Sequence, residues 1–230
     1  MMEPIRAADA VREIADGSTV LISGFGTAGL PVNLIDALVD HGAHDLTIVS
    51  NNAGNGDSGI AALLAAGQVR KVVCSFPRQA DSHVFDSMYR SGEVELELVP
   101  QGNLAERIRA AGAGIPAFYT PTGYGTRLAA GKECRIFGDR GFVLEYALGG
   151  DVALVAAKCA DRFGNLVYNK TARNFAPIMA AAGRLTLVEV GTILEVGALD
   201  PEIVVTPGIY VDRVVLARPR HSSAGEGDQA

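Results

Sequence analysis

Residues 20–29 read Val20-Leu21-Ile22-Ser23-Gly24-Phe25-Gly26-Thr27-Ala28-Gly29, and Pro31 then opens an amphipathic stretch over 32–39. A short apolar strand runs into glycines spaced G-x-G-x-x-G, and a helical pattern follows. Together these make a cradle for an anionic group. Glycine lets the backbone come close, and the free N–H groups of a helix start favour negative charge.

The alternation continues on both sides. Helical spacing over 7–15 closes at Asp16-Gly17 before a strand at 19–23. Beyond the helix at 31–39 come strands at 46–49, 71–75 and 93–99, with helices at 60–66, 84–90 and 103–111. Val94, Leu96 and Leu98 alternate with Glu93, Glu95 and Glu97, which predicts a strand with one wet face. Asn103 and Glu106 have capping-box spacing. After the turn-rich 121–125 the chain becomes mainly strand-like, at 142–145, 152–156, 166–168, 185–190 and 209–215, with one helix at 175–182. The expectation is an α/β fold: an open, largely parallel sheet with helices on both faces and a second half richer in strands. Residues 1–217 form one expected domain, and the polar, glycine-bearing 218–230 an expected disordered tail.

The 230 residues are 48% hydrophobic and 20% charged, with 27 glycines, which suits a large core with many tight turns. A net charge of -6 without any basic run argues against a nucleic acid partner. Cys74, Cys134 and Cys159 are scattered, so neither a metal site nor a disulfide framework is expected, and reduced thiols fit a cytoplasmic protein. Residues 1–10 carry Glu3, Arg6 and Asp9 and do not read as a signal peptide. No apolar run approaches the roughly 20 residues that span a membrane.

Ligands of such sheets sit at the carboxyl ends of strands. Three loops fall there, at 23–29, 50–56 and 100–102, and are expected to converge. A dinucleotide site would need an acid at the end of the second strand, about 20 residues past the glycines. That strand instead ends in Ser50-Asn51-Asn52. Neutral amides there can donate to a carbonyl or carboxylate oxygen, or to a developing oxyanion, without adding charge. The plainer alternative is an Asx turn.

At this point the chain resembles a known family. Asp16-Gly17, Val20-Leu21-Ile22, Gly24-Phe25, Gly29 and Pro31 are similar to the signature of the A (alpha) subunits of the 3-oxoacid CoA-transferases, with Ser23 where that family usually has glycine. Ser50–Gly54, 100–107, 119–125 and Ala172-Arg173-Asn174-Phe175 resemble the same family. Within it, 52–85 is most similar to the members that act on 3-oxoadipate.

The resemblance implies a two-subunit enzyme, an expected A2B2 assembly. A glutamate of the B subunit would attack the acyl-CoA thioester, with ping-pong kinetics. No glutamate of this chain matches the nucleophile's motif, so no catalytic residue is expected here. Coenzyme A enters as a thioester substrate and not as a resident cofactor. Ser23, Gly24, Phe25, Gly26, Thr27, Ala28 and Gly29 become the expected CoA-binding loop, and Asn51, Asn52 and Gln101 the donors to substrate oxygens. Arg78, just past the third strand, could grip the distal carboxylate of a dicarboxylate in two-pronged fashion, or simply be a solvated arginine. Lys170 and Arg173 are cationic candidates for the CoA phosphates or for a partner contact. Glu145 and Glu189 read as partly buried structural carboxylates. Three competing readings are an NAD-linked oxidoreductase, a ligand-sensing domain and an acetoacetate-type transferase.

Overall fold

The computed structural model describes residues 1–218, so all but the first residue of the expected disordered tail lies outside the described residues. The first half runs α1 (Ala7–Ala10), β1 (Thr19–Ile22), α2 (Val32–His41), β2 (Leu46–Val49), α3 (Ile60–Ala65), β3 (Val69–Cys74), α4 (His83–Ser91) and β4 (Glu95–Leu98). The second half runs α5 (Gln101–Gly112), β5 (Ala117–Thr120), β6 (Cys134–Phe137), β7 (Arg140–Tyr146), β8 (Gly150–Asp161), β9 (Leu166–Val167), α6 (Ala176–Ala182), β10 (Gly183–Leu194) and β11 (Arg213–Leu216).

Seven strands form a parallel sheet in the order β11-β10-β8-β1-β2-β3-β4, with β9 antiparallel on β8. Its strands read as apolar runs because both faces are buried. Val20 and Ile22 pack on one side with Leu34, Ile35, Leu38 and Leu63. Leu21, between them, packs on the other with Leu104, Ile108 and Met179. Helices α2, α3 and α4 link strands stepping one way across the sheet and share one face, while α5 and α6 cover the other. Right-handed crossovers require that segregation when the direction of strand addition reverses. The reversal falls at β1, which pairs with β2 on one side and β8 on the other. The crevice beyond its carboxyl end is therefore the favoured ligand position. No helix among the described residues is long and apolar enough to cross a membrane.

Three local expectations are corrected. β4 is the sheet's edge and has no clean wet face: Leu98 is exposed, whereas Glu97 is half-buried between Lys71 at 2.6 Å and Arg107 at 2.9 Å. No capping box starts α5. The helix begins at Gln101 after Pro100, Asn103 Nδ2 donates to Glu145 Oε1 at 3.2 Å, and Glu106 pairs with Arg109 at 2.7 Å. Strands β5 and β6, absent from the sequence expectation, join β7 in a separate antiparallel sheet of order β5-β7-β6. There β6 and β7 form a hairpin across Gly138-Asp139, with Phe137 opposite Arg140.

Candidate functional site

The carboxyl ends of β1, β2 and β3 and the start of α5 meet around Asn51. Ser75 and Phe76, just past β3, both donate their backbone N–H to the Asn51 carbonyl, at 3.2 and 3.0 Å. The Ser75 hydroxyl donates to Asn51 Oδ1 at 2.8 Å, and Gln101 Nε2 donates to the same oxygen at 2.7 Å. The two donors occupy both lone pairs of that oxygen and set the amide's orientation. Asn51 Nδ2 is left with two N–H groups and no protein partner among the described residues. Asn52 turns away: its Oδ1 accepts from Gly54 N–H at 3.0 Å, an Asx turn. The two asparagines thus divide, one shaping the loop and one presenting donors.

The glycine loop is stapled from within. Ser23 is fully buried, donates to the Gly29 carbonyl at 2.8 Å and accepts from Ala156 N–H at 3.1 Å. Phe25 and Ala28 exchange backbone hydrogen bonds across Gly26-Thr27, at 3.0 and 3.2 Å. Asn174 Oδ1 accepts from Gly24 N–H at 3.1 Å, and its Nδ2 donates to the Ala28 carbonyl at 2.9 Å. These bonds fix the loop's shape and expose the Phe25 ring.

The start of α2 does not serve as an anion cradle. Glu189 of β10 fills it, accepting from Asn33 Nδ2 at 2.7 Å and from Leu34 N–H at 3.1 Å. A protein carboxyl thus occupies donors at the helix start that a pyrophosphate would need, which argues against the oxidoreductase reading. Burial pushes the Glu189 carboxyl above the usual range, opposed by the Asn33 and Leu34 hydrogen bonds.

Phe25, Gln101, Gly102, Asn174, Phe175 and Ile178 line an apolar cavity of about 290 Å³ beside this cluster, and no lining residue is a carboxylate. Loops 23–29 and 100–102 therefore converge as expected, and Gln101 ties loop 50–56 to them through Asn51. Arg78 lies on the same edge of the sheet but pairs with Asp86 of α4 at 2.8 Å. Glu145 is the expected structural carboxylate, held by Lys132 at 2.7 Å and Asn103. Burial raises the Cys74 thiol to about 12, so it stays a protonated core residue.

Sequence reasoning did not single out Ser75, Asn174 or the place of Glu189. Asn174 sat inside a motif quoted for its resemblance; its left-handed backbone, φ 22°, is a signal visible only in the structure. Ser75 had the same warrant as Gln101, a polar residue at a strand end.

Residues 5–217 match the family model for coenzyme A transferase. The A-type chain of the 3-oxoadipate CoA-transferase of Pseudomonas putida is 62% identical over 208 residues, 90% of each chain. The A-type chain of the succinyl-CoA:3-ketoacid coenzyme A transferase of Xanthomonas campestris pv. campestris (strain B100) is 54% identical over 203 residues, 88% of this chain and 83% of that one. An acyl-CoA transferase apoenzyme from Escherichia coli O157:H7 shares the fold with a TM-score of 0.83 at 23% identity, over 94% of this chain and 47% of that one. This chain thus spans about half the length of that structure. It belongs to the coenzyme A transferase family, and the two relatives above are A-type subunits of such enzymes.

Proposed function

We propose that this chain is the A-type half of a two-chain transferase that moves CoA from succinyl-CoA to 3-oxoadipate, and that its partner B chain carries the nucleophilic glutamate. The observation that carries this reading is a set of oriented neutral donors, Asn51 Nδ2 foremost, beside an apolar cavity lined by no carboxylate. The partner glutamate attacks the thioester carbonyl and expels CoA thiolate, giving an acyl-glutamyl anhydride. The thiolate attacks the glutamyl carbonyl and releases succinate, leaving a glutamyl-CoA thioester. The acceptor carboxylate runs the same steps in reverse. Each addition places charge on a carbonyl oxygen, and a pre-oriented amide donor stabilises that oxygen without reorganising. A chain so built supplies the donors and the pocket, and the B chain supplies the attacking group.

The sequence similarity favours 3-oxoadipate over acetoacetate as acceptor, and Arg78 is the cation we assign to its distal carboxylate. Its pair with Asp86 is exposed, the Arg78 side chain at 58%, so exchange for a substrate carboxylate costs little. The test is to reconstitute the chain with a B-type partner and assay transfer from succinyl-CoA to each acceptor. The chain alone should be inactive, and turnover by it alone overturns the two-chain reading. Asn51→Ala should lower kcat about 100-fold with either acceptor, the loss typical of an oxyanion donor. Arg78→Ala should lower kcat/KM about 30-fold for 3-oxoadipate alone. Equal losses on both acceptors would return specificity to the acetoacetate-type reading.

A further inference from the structure

Gln101, whose Nε2 orients Asn51, is the first residue of α5, and the local sequence does little to hold it there. The helix starts after Pro100 with no side-chain cap, and Gly102 follows, a residue that destabilises a helical turn. Leu104 and Ile108 anchor α5 to the sheet, but apolar packing is non-directional and fixes rotation about the helix axis only loosely. Residues two apart on a helix stand about 200° round from each other. Any rotation of α5 that shifts Asn103 therefore swings Gln101 the opposite way.

Asn103 supplies the missing direction. It is buried, and its Nδ2 donates both to the Thr122 carbonyl and to Glu145 Oε1, each at 3.2 Å. Glu145 lies on β7, is 4% exposed and is also held by Lys132 Nζ at 2.7 Å. Arg107, one turn along α5 from Asn103, donates Nε to the Tyr146 carbonyl and Nη1 to Glu97, both at 2.9 Å. The same Nε stands 3.9 Å from Glu145 Oε2. Asn103 and Arg107, four apart, share one face of the helix. That face is fastened to β7 and to the turn 121–125, both outside the parallel sheet. The antiparallel sheet β5-β7-β6 is thus joined to the donor cluster by two hydrogen bonds in series, Glu145 to Asn103 and Gln101 to Asn51.

We infer that Glu145 is a positioning residue of the transfer reaction: through Asn103 it locks the rotation of α5, and so holds the Gln101 amide at the 2.7 Å distance that aims Asn51 Nδ2. A carboxylate suits this task. Paired with Lys132 it stays in place, and it gives Asn103 a stronger acceptor than a neutral group. A misplacement of about 1 Å in a catalytic group can cost about 100-fold in rate, so a brace remote from the reacting atoms registers in kcat. The assignment rests on the transferase reading and gives Glu145 a part in it beyond holding β7.

The test is a double-mutant cycle in the complex reconstituted with a B-type partner. Glu145→Ala should lower kcat about 10-fold and leave KM for succinyl-CoA within about 2-fold. Made in a Gln101→Ala background, the same change should cost less than about 2-fold more, because the brace then has nothing to hold. Glu145→Gln retains an acceptor for Asn103 and should stay within about 3-fold of wild type. If Glu145→Ala does not assemble, Asn103→Ala carries the cycle, since Lys132 still holds Glu145. A purely architectural Glu145 predicts the same fold-loss in both backgrounds, and that result would overturn the assignment. So would an unchanged kcat, a Glu145→Gln as impaired as Glu145→Ala, or failure of both alanine variants to assemble. Should the wild-type complex transfer nothing, the transferase reading fails by itself. NMR of the full chain then decides the brace: the Gln101 side-chain amide resonances should shift in either alanine variant, and unmoved resonances refute it.

Discussion

Glu189 lies on β10 opposite Ala156, is 8% exposed and forms no salt bridge among the described residues. Facing it from α2 are Asn33 and Leu34, which donate hydrogen bonds, and Asp36, whose charge adds to the upward pull of burial. A carboxyl raised in the fold binds a proton that the unfolded chain releases. The stability it contributes is complete below the unfolded value, about 4.3, and is lost as pH rises through the raised value. Glu189→Gln keeps an acceptor for Leu34 N–H and cannot ionise. Urea unfolding of both proteins from about pH 4 to 8 should show the wild type losing stability relative to the variant across that window. Parallel profiles would mean that Glu189 is not raised. At this scale the sequence shows residue types and not directions. Asn51 was legible as a neutral amide at the end of β2 where an acid should stand. That its neighbour Asn52 only closes a turn depends on which way each amide faces: Ser75, just past β3, orients Asn51, and Gly54 holds Asn52.

Glycines in the elements that frame the site separate two physical effects. Gly17 and Gly29 both sit at φ 76°, but a Cβ on Gly17 would meet nothing, whereas one on Gly29 would strike the Ala172 carbonyl and Asn174 Nδ2. Gly17→Ala should cost only backbone strain, about 1 kcal/mol. Gly29→Ala adds a collision with backbone that cannot retreat, and should cost roughly 3 kcal/mol or more. Chemical denaturation of the two variants checks the difference, and equal losses would show that the 170–174 turn is not braced on the loop. Elements with one dominant period were legible: β1, β2 and β3 as apolar runs, α2 as an amphipathic stretch after Pro31. β6 was not, because all of its residues are exposed and it borrows its conformation from β7. β8 and β10 extend to 12 residues each, well beyond their apolar segments, because each supports the other's ladder along ten paired positions.

The parallel sheet follows from alternating strands and helices, but the order β8-β10-β11 on the far side of β1 does not, since partners distant in sequence choose it. Two exposed aromatics bear on the proposed partner at this scale. Phe25 and Phe76 are 53% and 60% exposed, one in the glycine loop and the other immediately beyond β3. Isolated exposed aromatics are common. These two flank the donor cluster, and the backbone N–H of Phe76 is itself bonded to Asn51. The two rings stand beside the cavity with its oriented donors, where the proposed two-chain reading would seat a partner. If the B chain seats on that rim, Phe76 should be one of its anchors, since large aromatics desolvated at the centre of an interface carry much of the binding energy. Phe76→Ser should then raise the Kd for a B-type partner by about 30-fold in calorimetry, roughly 2 kcal/mol. Its thermal unfolding alone should barely change, because an exposed side chain contributes within about 0.5 kcal/mol. An unchanged Kd would move the partner off this edge. A lowered Tm without the partner would make the ring a structural element of the chain and not a contact.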